Sequence, residues 1–122
     1  MTSKVTKFED LKVWQISHEL TLEVYRITKT FPRDELYGLV AQLRKAASSV
    51  PANIVEGYYR HTTKELIKFL YNARGSAGEV AYFFILSKDL EYISNKEYIE
   101  LRKRYEALLR SISAMINSLS KK

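Results

Sequence analysis

One continuous stretch, residues 35–60, constrains the fold of this chain more than any other. At helical spacing it carries an apolar stripe and, beside it, a stripe of small and polar residues. The apolar stripe contains Leu36, Leu39, Val40, Leu43, Ala47, Val50 and Ile54, and the second contains Gln42, Ala46, Ser49, Asn53, Glu56 and Arg60. Such a helix buries its first face in a core, and its second face meets solvent or another helix.

Pro51 lies inside this stretch, where it has no N–H to donate to the carbonyl of Ala47 and tends to kink the helix axis. Ser48 and Ser49 could satisfy the freed carbonyl, so the sequence predicts one long helix that bends at Pro51. The alternative is a true break between Ser48 and Pro51, after which Asn53 caps a second helix.

The rest of the chain has the same helical character. Thr62 followed by Glu65, and Ser94 followed by Glu97, are capping-box signatures that begin two further helices. The periodicity predicts four helices, at about residues 9–30, 33–60, 62–91 and 95–119. With short connections these form an all-α, antiparallel, up-down-up-down four-helix bundle, a single domain over residues 1–122, with its second helix kinked at Pro51.

Small residues predict how the second and third helices meet. The segment Ala73–Gly78 contains two glycines, which destabilise a helix and therefore indicate a close backbone approach. The segment Ala46–Ser49 offers matching small residues. Antiparallel pairing about the turn near residue 61 then predicts a salt bridge between Arg44 and Glu79.

Composition excludes several classes of protein. The 122 residues are 46% apolar, which argues against disorder, and four Gly with two Pro are too few for an all-β chain. Cysteine is absent, so disulfides and thiolate sites are excluded. No apolar run reaches membrane-spanning length, and the N-terminus lacks an apolar signal core, so we expect a soluble, cytoplasmic protein. The formal net charge of +6 permits an acidic partner such as nucleic acid.

The chain also resembles a known family, the 23S rRNA intervening-sequence proteins, over most of its length. The resemblance is densest over Gln42–Gly57, where Val55 replaces the alanine that the family usually has. It is also carried by Phe8–Gln15, Phe31–Pro32, Glu35–Leu39, Glu65, Phe69–Leu70, Ala73–Ser76 and Glu79.

This resemblance implies a four-helix bundle that assembles as a ring, typically a homopentamer. It also implies kinship with the accessory variability determinants of diversity-generating retroelements, which are pentameric barrels with a basic surface that bind a reverse transcriptase and nucleic acid. The family is usually encoded within spacers of large ribosomal RNA genes, and this setting, together with the charge, favours RNA as a ligand.

No catalytic group or metal site emerges from the sequence. His18 and His61 are far apart in the predicted bundle; His18 is expected to be packed and hydrogen-bonded, and His61 to be a solvated turn residue. Glu-x-x-His pairs and glycine-rich phosphate loops are missing. We therefore expect no enzyme activity, no metal and no cofactor.

Basic residues on the second and third helices are the candidate nucleic-acid-binding site, and nearby tyrosines could stack on unpaired bases. The candidates are Arg44, Lys45, Arg60, Lys64, Lys68 and Arg74, with Tyr58, Tyr59 and Tyr71 beside them. The alternative is that these residues are an ordinary solvated helix surface.

Asn53, Glu56 and Glu79 are predicted to be structural, the first two by linking the Pro51 region to a neighbouring helix. Trp14 and Tyr25, on the outer side of the first helix, are the predicted oligomer interface. The sequence thus favours a non-enzymatic RNA-binding module that works as a homo-oligomeric ring. The alternative is an adaptor that docks an acidic protein such as a polymerase, and a third reading is a passenger of its genetic element.

Overall fold

The computed structural model describes residues 5–121, and within that range the chain forms four long helices and no strand. The helices are α1 (Lys12–Thr28), α2 (Leu39–Tyr58), α3 (Thr63–Asp89) and α4 (Asn95–Ser120), with short 3-10 turns at Phe8–Asp10 and Arg33–Glu35. This confirms the prediction of an all-α four-helix bundle.

Each helix contacts its neighbours in the order α1, α2, α3, α4, and α4 also contacts α1. Where side chains connect two helices, the residue numbers rise along one helix as they fall along the other. Examples are Thr21 with Ala47, Thr28 with Arg44, Arg74 with Ser113, and Phe84 with Tyr105.

The core is made by the apolar stripes of all four helices. Its fully buried side chains include Val24, Leu43, Val50, Ile54, Leu70, Val80, Phe84, Leu108 and Ile112. Tyr105 packs edge-to-face on Phe84 with ring centroids 5.4 Å apart, and its burial raises the pKa of its hydroxyl. Since these stripes occupy the inner faces, the charged residues remain on the outer faces, where the candidate sites lie.

The starts of α3 and α4 follow the predicted capping signals. Thr62 Oγ1 accepts a hydrogen bond of 3.1 Å from the amide of Glu65, which leaves α3 beginning at Thr63. Ser94 and Glu97 form a complete capping box, in which each side chain accepts from the other residue's amide, at 3.0 and 3.1 Å.

The start of α2 differs from the prediction of residue 33. Pro32 has an extended ψ of 143°, and the chain then makes a 3-10 turn before α2 begins at Leu39. The Glu35 carboxylate fixes this entry, because its Oε1 accepts from the amide of Leu39 at 3.1 Å and its Oε2 accepts from the hydroxyl of Tyr92 at 2.8 Å. The turn before Leu39 shapes the cavity that is described below.

Helix α2 passes through Pro51 without interruption, so the alternative of a break between Ser48 and Pro51 is wrong. The freed carbonyl of Ala47 finds its donor on α1, where Thr21 Oγ1 lies 3.1 Å from it and 2.8 Å from the carbonyl of Ser17, so one hydroxyl proton is shared between the two acceptors. The predicted donors, Ser48 and Ser49, do not serve this role, and Ser48 Oγ instead donates to the carbonyl of Lys45 at 3.3 Å. A residue far away in sequence therefore makes proline tolerable inside α2.

The glycines of α3 do not mark a close approach between helices. A Cβ built on Gly75 or Gly78 would have no neighbour within 4 Å, so the prediction of a tight glycine contact with α2 is wrong. The close approach occurs instead at Gly57 of α2, where a Cβ would lie 2.9 Å from Phe69 Cβ and 3.1 Å from Leu66 Cδ1. Only glycine allows the end of α2 to rest on the first turns of α3.

Replacing the Thr21 hydroxyl by a methyl group, Thr21→Val, is expected to lower the free energy of unfolding by roughly 1–3 kcal/mol, because it leaves the buried Ala47 carbonyl without a donor. The measurement is urea unfolding followed by circular dichroism. Pro51→Ala restores an amide that can bond this carbonyl, so Thr21→Val should cost clearly less in the Pro51→Ala background. An equal cost in both backgrounds would contradict the assigned role of Thr21.

Gly57→Ala is expected to destabilise the bundle by about 1–3 kcal/mol through overpacking, although alanine favours helix. Gly75→Ala and Gly78→Ala serve as matched controls, because their added methyl groups enter open space. Each control should raise the free energy of unfolding by up to about 1 kcal/mol. Thermal unfolding of the three variants distinguishes the sites, and a stabilised Gly57→Ala would refute the close contact.

Candidate nucleic-acid interface

A shallow depression on the outer face of the first turns of α3 brings together cationic, aromatic and apolar side chains. We call it the α3 patch; its lining residues are Thr62, Lys64, Glu65, Ile67, Lys68, Tyr71 and Asn72. The Thr62 cap sets where α3 begins, and helical spacing then places Lys64, Lys68 and Tyr71 on one face. The half-buried Ile67 lies between the lysines and the tyrosine as an apolar floor.

The two lysines of the α3 patch carry charges that the chain does not neutralise. Lys64 and Lys68 are exposed, and neither forms an ion pair within residues 5–121. Like charges four residues apart on a helix destabilise it slightly, by a few tenths of a kcal/mol. The patch includes one carboxylate, that of Glu65, so its local charge stays positive.

Tyr71 gives the patch an exposed aromatic ring with a fixed neighbour. Its exposed fraction is 49%, and the guanidinium of Arg74 lies 4.8 Å from the ring centroid. Arg74 Nη1 also donates to Ser113 Oγ on α4 at 3.2 Å. Arg74 is therefore held in place by cation–π contact and hydrogen bond, with its charge next to the tyrosine.

Arg60 lies just before the patch, in the turn between α2 and α3, but its charge is already paired. Its Nη2 is 2.7 Å from Glu56 Oε2, and its guanidinium lies 4.8 Å from the centroid of the Phe69 ring. Tyr59 and His61 in the same turn are exposed. Arg60 thus extends the patch with less free charge than the lysines offer.

Arg44 and Lys45 do not share this surface with the other predicted residues. Arg44 points to α1, where its Nε donates to Thr28 Oγ1 at 2.9 Å. Lys45 lies in a separate groove between α2 and α3, lined also by Gln42, Ala46, Ser49 and Glu79. The six basic residues that the sequence grouped together therefore divide over three parts of the surface.

The predicted salt bridge between Arg44 and Glu79 is wrong. Within residues 5–121 no ion pair involves either residue, because Arg44 turns toward α1 while Glu79 faces the groove on the opposite flank of α2. Counting residues from the turn gave a plausible register along the helices. It could not give the rotation of α2, which decides the neighbour that each side chain meets.

Asn53 and Glu56 make their contacts within α2 and the turn that follows it, and not with a neighbouring helix as predicted. Asn53 Nδ2 donates to the carbonyl of Ser49 at 2.8 Å, and Glu56 pairs with Arg60 one turn later. The side chain that reaches the Pro51 region from another helix is that of Thr21, whose hydroxyl lies beside the Ala47 carbonyl.

The two residues predicted as an oligomer interface, Trp14 and Tyr25, have intrachain partners on the outside of α1. The indole of Trp14 stacks flat on His18, with centroids 4.9 Å apart, and meets Phe8 edge-to-face at 5.2 Å. Tyr25 is 41% exposed below the guanidinium of Arg44. His18 was expected to be packed and hydrogen-bonded, but it is exposed, and its main contact is this stacking.

An aromatic cluster near the α3 patch was missed from the sequence. The Phe8 ring meets Tyr58 and Tyr59 edge-to-face at 6.5 and 6.2 Å. Phe8 belongs to the 3-10 turn that precedes α1, so only the folded bundle brings it to the end of α2. The sequence feature that could have indicated this cluster is the pair of adjacent tyrosines, Tyr58 and Tyr59, just before Arg60.

The described part of the chain has neither a metal-binding cluster nor a membrane-spanning helix. Residues 5–121 contain no group of three His, Cys, Asp or Glu side chains that could hold a metal ion. None of their helices combines the length and the apolar character needed to cross a membrane.

Comparison with known proteins gives a family and a fold. A model of the 23S rRNA-intervening sequence protein family matches residues 9–117. A solved structure from Bacteroides thetaiotaomicron, a protein with unknown function from the S23 ribosomal protein family, is similar with a TM-score of 0.80. Its sequence is 21% identical, and the match covers 86% of this chain and 95% of that chain, a likeness that shows the fold alone. The search of curated proteins found no match.

Proposed function

The chain belongs to the 23S rRNA-intervening sequence protein family, and from that premise and the α3 patch we propose that it is a non-enzymatic RNA-binding module. The observation that carries the proposal is the pair of unneutralised lysines, Lys64 and Lys68, beside the exposed ring of Tyr71. Free ammonium groups attract phosphates, and an exposed aromatic ring accepts a stacked base.

The chemistry of the patch favours contact with the RNA backbone over reading of base edges. Lysine presents a compact charge on a flexible stem, which suits phosphate but does not enforce one geometry. Asn72 is the uncharged amide at the rim of the patch, and amide side chains can bond base edges. We therefore expect binding with strong salt dependence, weak sequence preference and a preference for unpaired nucleotides.

The proposal includes self-association into a ring, which would place several α3 patches on one particle. Exposed apolar side chains on the outer faces support it: Leu22 of α1 is 56% exposed, and Tyr82 of α3 is 55% exposed. Several linked patches on one particle bind a long RNA with greater avidity than one patch alone. The net charge of +6 per chain would add up in the same way.

Charge reversal of both patch lysines, Lys64→Glu with Lys68→Glu, is expected to weaken RNA binding by about tenfold to a hundredfold, because two charge-assisted phosphate contacts are lost. The measurement is fluorescence anisotropy with labelled single-stranded and hairpin RNA at about 50 and 200 mM salt. Wild-type affinity should fall steeply over this range, and the variant should show a shallower salt dependence.

The matched control is Lys96→Glu with Lys103→Glu. These lysines lie seven residues apart on α4 beside the exposed Ile99, in a depression of similar make-up, and their reversal changes the net charge equally. If both double variants lose affinity equally, binding follows net charge and the α3 patch is not the site. Wild-type protein that binds no RNA at the lower salt concentration would refute the function and favour a protein partner.

A further inference from the structure

A second candidate site lies at the other end of the bundle, between the end of α1 and the start of α2. A cavity of about 220 Å³ opens there, and we call it the α1–α2 cavity. It is lined by Thr28, Lys29, Phe31, Pro32, Arg33, Leu36, Val40 and Arg44. Three of the lining residues are cationic and none is acidic. It shares no residue with the α3 patch.

Arg44 is held in this cavity by a buried hydroxyl group. Thr28 is only 3% exposed, and its hydroxyl donates to the carbonyl of Val24 at 2.7 Å, so its oxygen is oriented to accept from Arg44 Nε at 2.9 Å. Arg44 Nη2 also reaches the carbonyl of Tyr25 at 3.4 Å. The guanidinium is therefore positioned before any ligand arrives, and its Nη1 makes no hydrogen bond within residues 5–121.

Lys29 and Arg33 add two exposed charges at the mouth of the cavity. Neither forms an ion pair within the part of the chain that the structure describes. The Glu35 carboxylate is already occupied by the amide of Leu39 and the hydroxyl of Tyr92. Asp34 lies on the same turn but does not line the cavity.

Two features at this end of the bundle disfavour the binding of an anion, namely the negative C-terminal end of the α1 dipole and nearby carboxylates, and the effect of each is reduced. The α1 C-terminal carbonyls of Ile27 and Thr28 accept hydrogen bonds from the amides of Thr30 and Phe31, which reduces their effect on a ligand. Exposed carboxylates farther along the surface are screened by salt over a Debye length of about 8 Å. Three cations line the cavity itself and no carboxylate does, so the charges next to a ligand are positive.

The walls of the cavity are apolar. Phe31 and Val40 are buried with 7% and 3% exposure, and Leu36 is 46% exposed beside them. A ligand that placed an apolar group here would remove part of Leu36 from water, which favours binding. The volume is smaller than the roughly 300–1,000 Å³ of typical drug-sized sites.

We propose that the α1–α2 cavity binds a small organic carboxylate that carries one compact apolar group, such as a single ring. The carboxylate accepts hydrogen bonds from Arg44, with Arg33 and Lys29 completing its neutralisation, and the ring packs on Phe31, Leu36 and Val40. With Nε bonded to Thr28 and one Nη2 hydrogen directed at the Tyr25 carbonyl, the free edge of Arg44 consists of Nη1 and the second hydrogen of Nη2. Two parallel N–H donors on that edge match a carboxylate better than an alcohol or amide of the same shape.

The test is ligand-observed NMR by saturation transfer, with benzoate as the probe and benzamide and acetate as comparison ligands. Benzoate is expected to bind with a dissociation constant on the order of 1 mM, which suits a fragment of this size. Benzamide lacks the charge and acetate lacks the ring, so each is expected to bind at least about tenfold more weakly.

Two sets of variants locate the binding. Lys29→Gln with Arg33→Gln should weaken benzoate binding by about tenfold, and Leu36→Glu should abolish it by bringing a carboxylate to the mouth of the cavity. Arg44 is left intact, because it also links α1 to α2. Lys96→Gln with Lys103→Gln removes the same charge elsewhere and should leave benzoate binding unchanged.

Equal binding of benzoate and benzamide would overturn the proposal, as would a Lys29→Gln, Arg33→Gln variant that matches the control variant. Undetectable benzoate binding at about 10 mM would overturn it as well. RNA affinity measured on the same variants keeps this proposal separate from the RNA-binding function, because the cavity variants should bind RNA as the control variant does.

Discussion

The carbonyl oxygen of Ala47, which Pro51 deprives of its usual amide donor, determines how the first two helices meet. It is fully buried, and an unpaired carbonyl in that place would cost about 1–3 kcal/mol. Thr21 supplies the missing donor from α1. Two turns later on α1, Thr28 accepts from Arg44 of α2. These two hydroxyl contacts join α1 to α2 along the seam where their apolar stripes pack, and they specify the rotation of α1 against α2 beyond what apolar packing alone provides.

The α1–α2 cavity lies next to the second of these contacts. Thr28 is buried and meets Arg44, while the next residue, Lys29, lies at the surface. Pro32 disfavours helical geometry at Phe31, which ends the helical run of α1, and its own extended ψ of 143° leads into the 3-10 turn before Leu39. Phe31, Pro32, Arg33 and Leu36 of this segment line the cavity beside the guanidinium of Arg44.

Charges of both signs are mixed at the two ends of the bundle, and neither end is uniformly basic or acidic. The turn after α3 and the start of α4 carry Asp89, Glu91, Glu97 and Glu100 together with Lys88 and Lys96. The opposite end carries Arg60, Lys64 and Lys68 with Glu56 and Glu65. What a surface of mixed charge attracts is therefore decided by the charges that line each depression at close range.

Helical periodicity and capping signals predicted the four helices and the starts of α3 and α4, because these depend on residues close together in sequence. The partner of the Ala47 carbonyl, the place of Gly57 against Phe69 and the separation of Arg44 from Lys64 and Lys68 could not be predicted. Each depends on how one helix is rotated against another, and small residues such as those of Ala73–Gly78 fit several rotations equally well. The sequence therefore predicted which types of residue form the candidate site. Which of those residues lie together depends on tertiary packing.

Most arginines of this chain are held by side-chain partners, whereas the two lysines of the α3 patch are not. Within residues 5–121, five of the eight arginines have such partners, namely Arg26, Arg44, Arg60, Arg74 and Arg102; Arg33, at the mouth of the α1–α2 cavity, is not among them. The planar guanidinium suits such fixed contacts, since it can bond and stack at the same time. Lys64 and Lys68 are left as the exposed charges of the α3 patch that no ion pair neutralises within those residues. A surface that contacts phosphate mainly through lysine attracts nucleic acid without a fixed bidentate geometry, so sequence preference would have to come from stacking on Tyr71 and from the shape of the RNA.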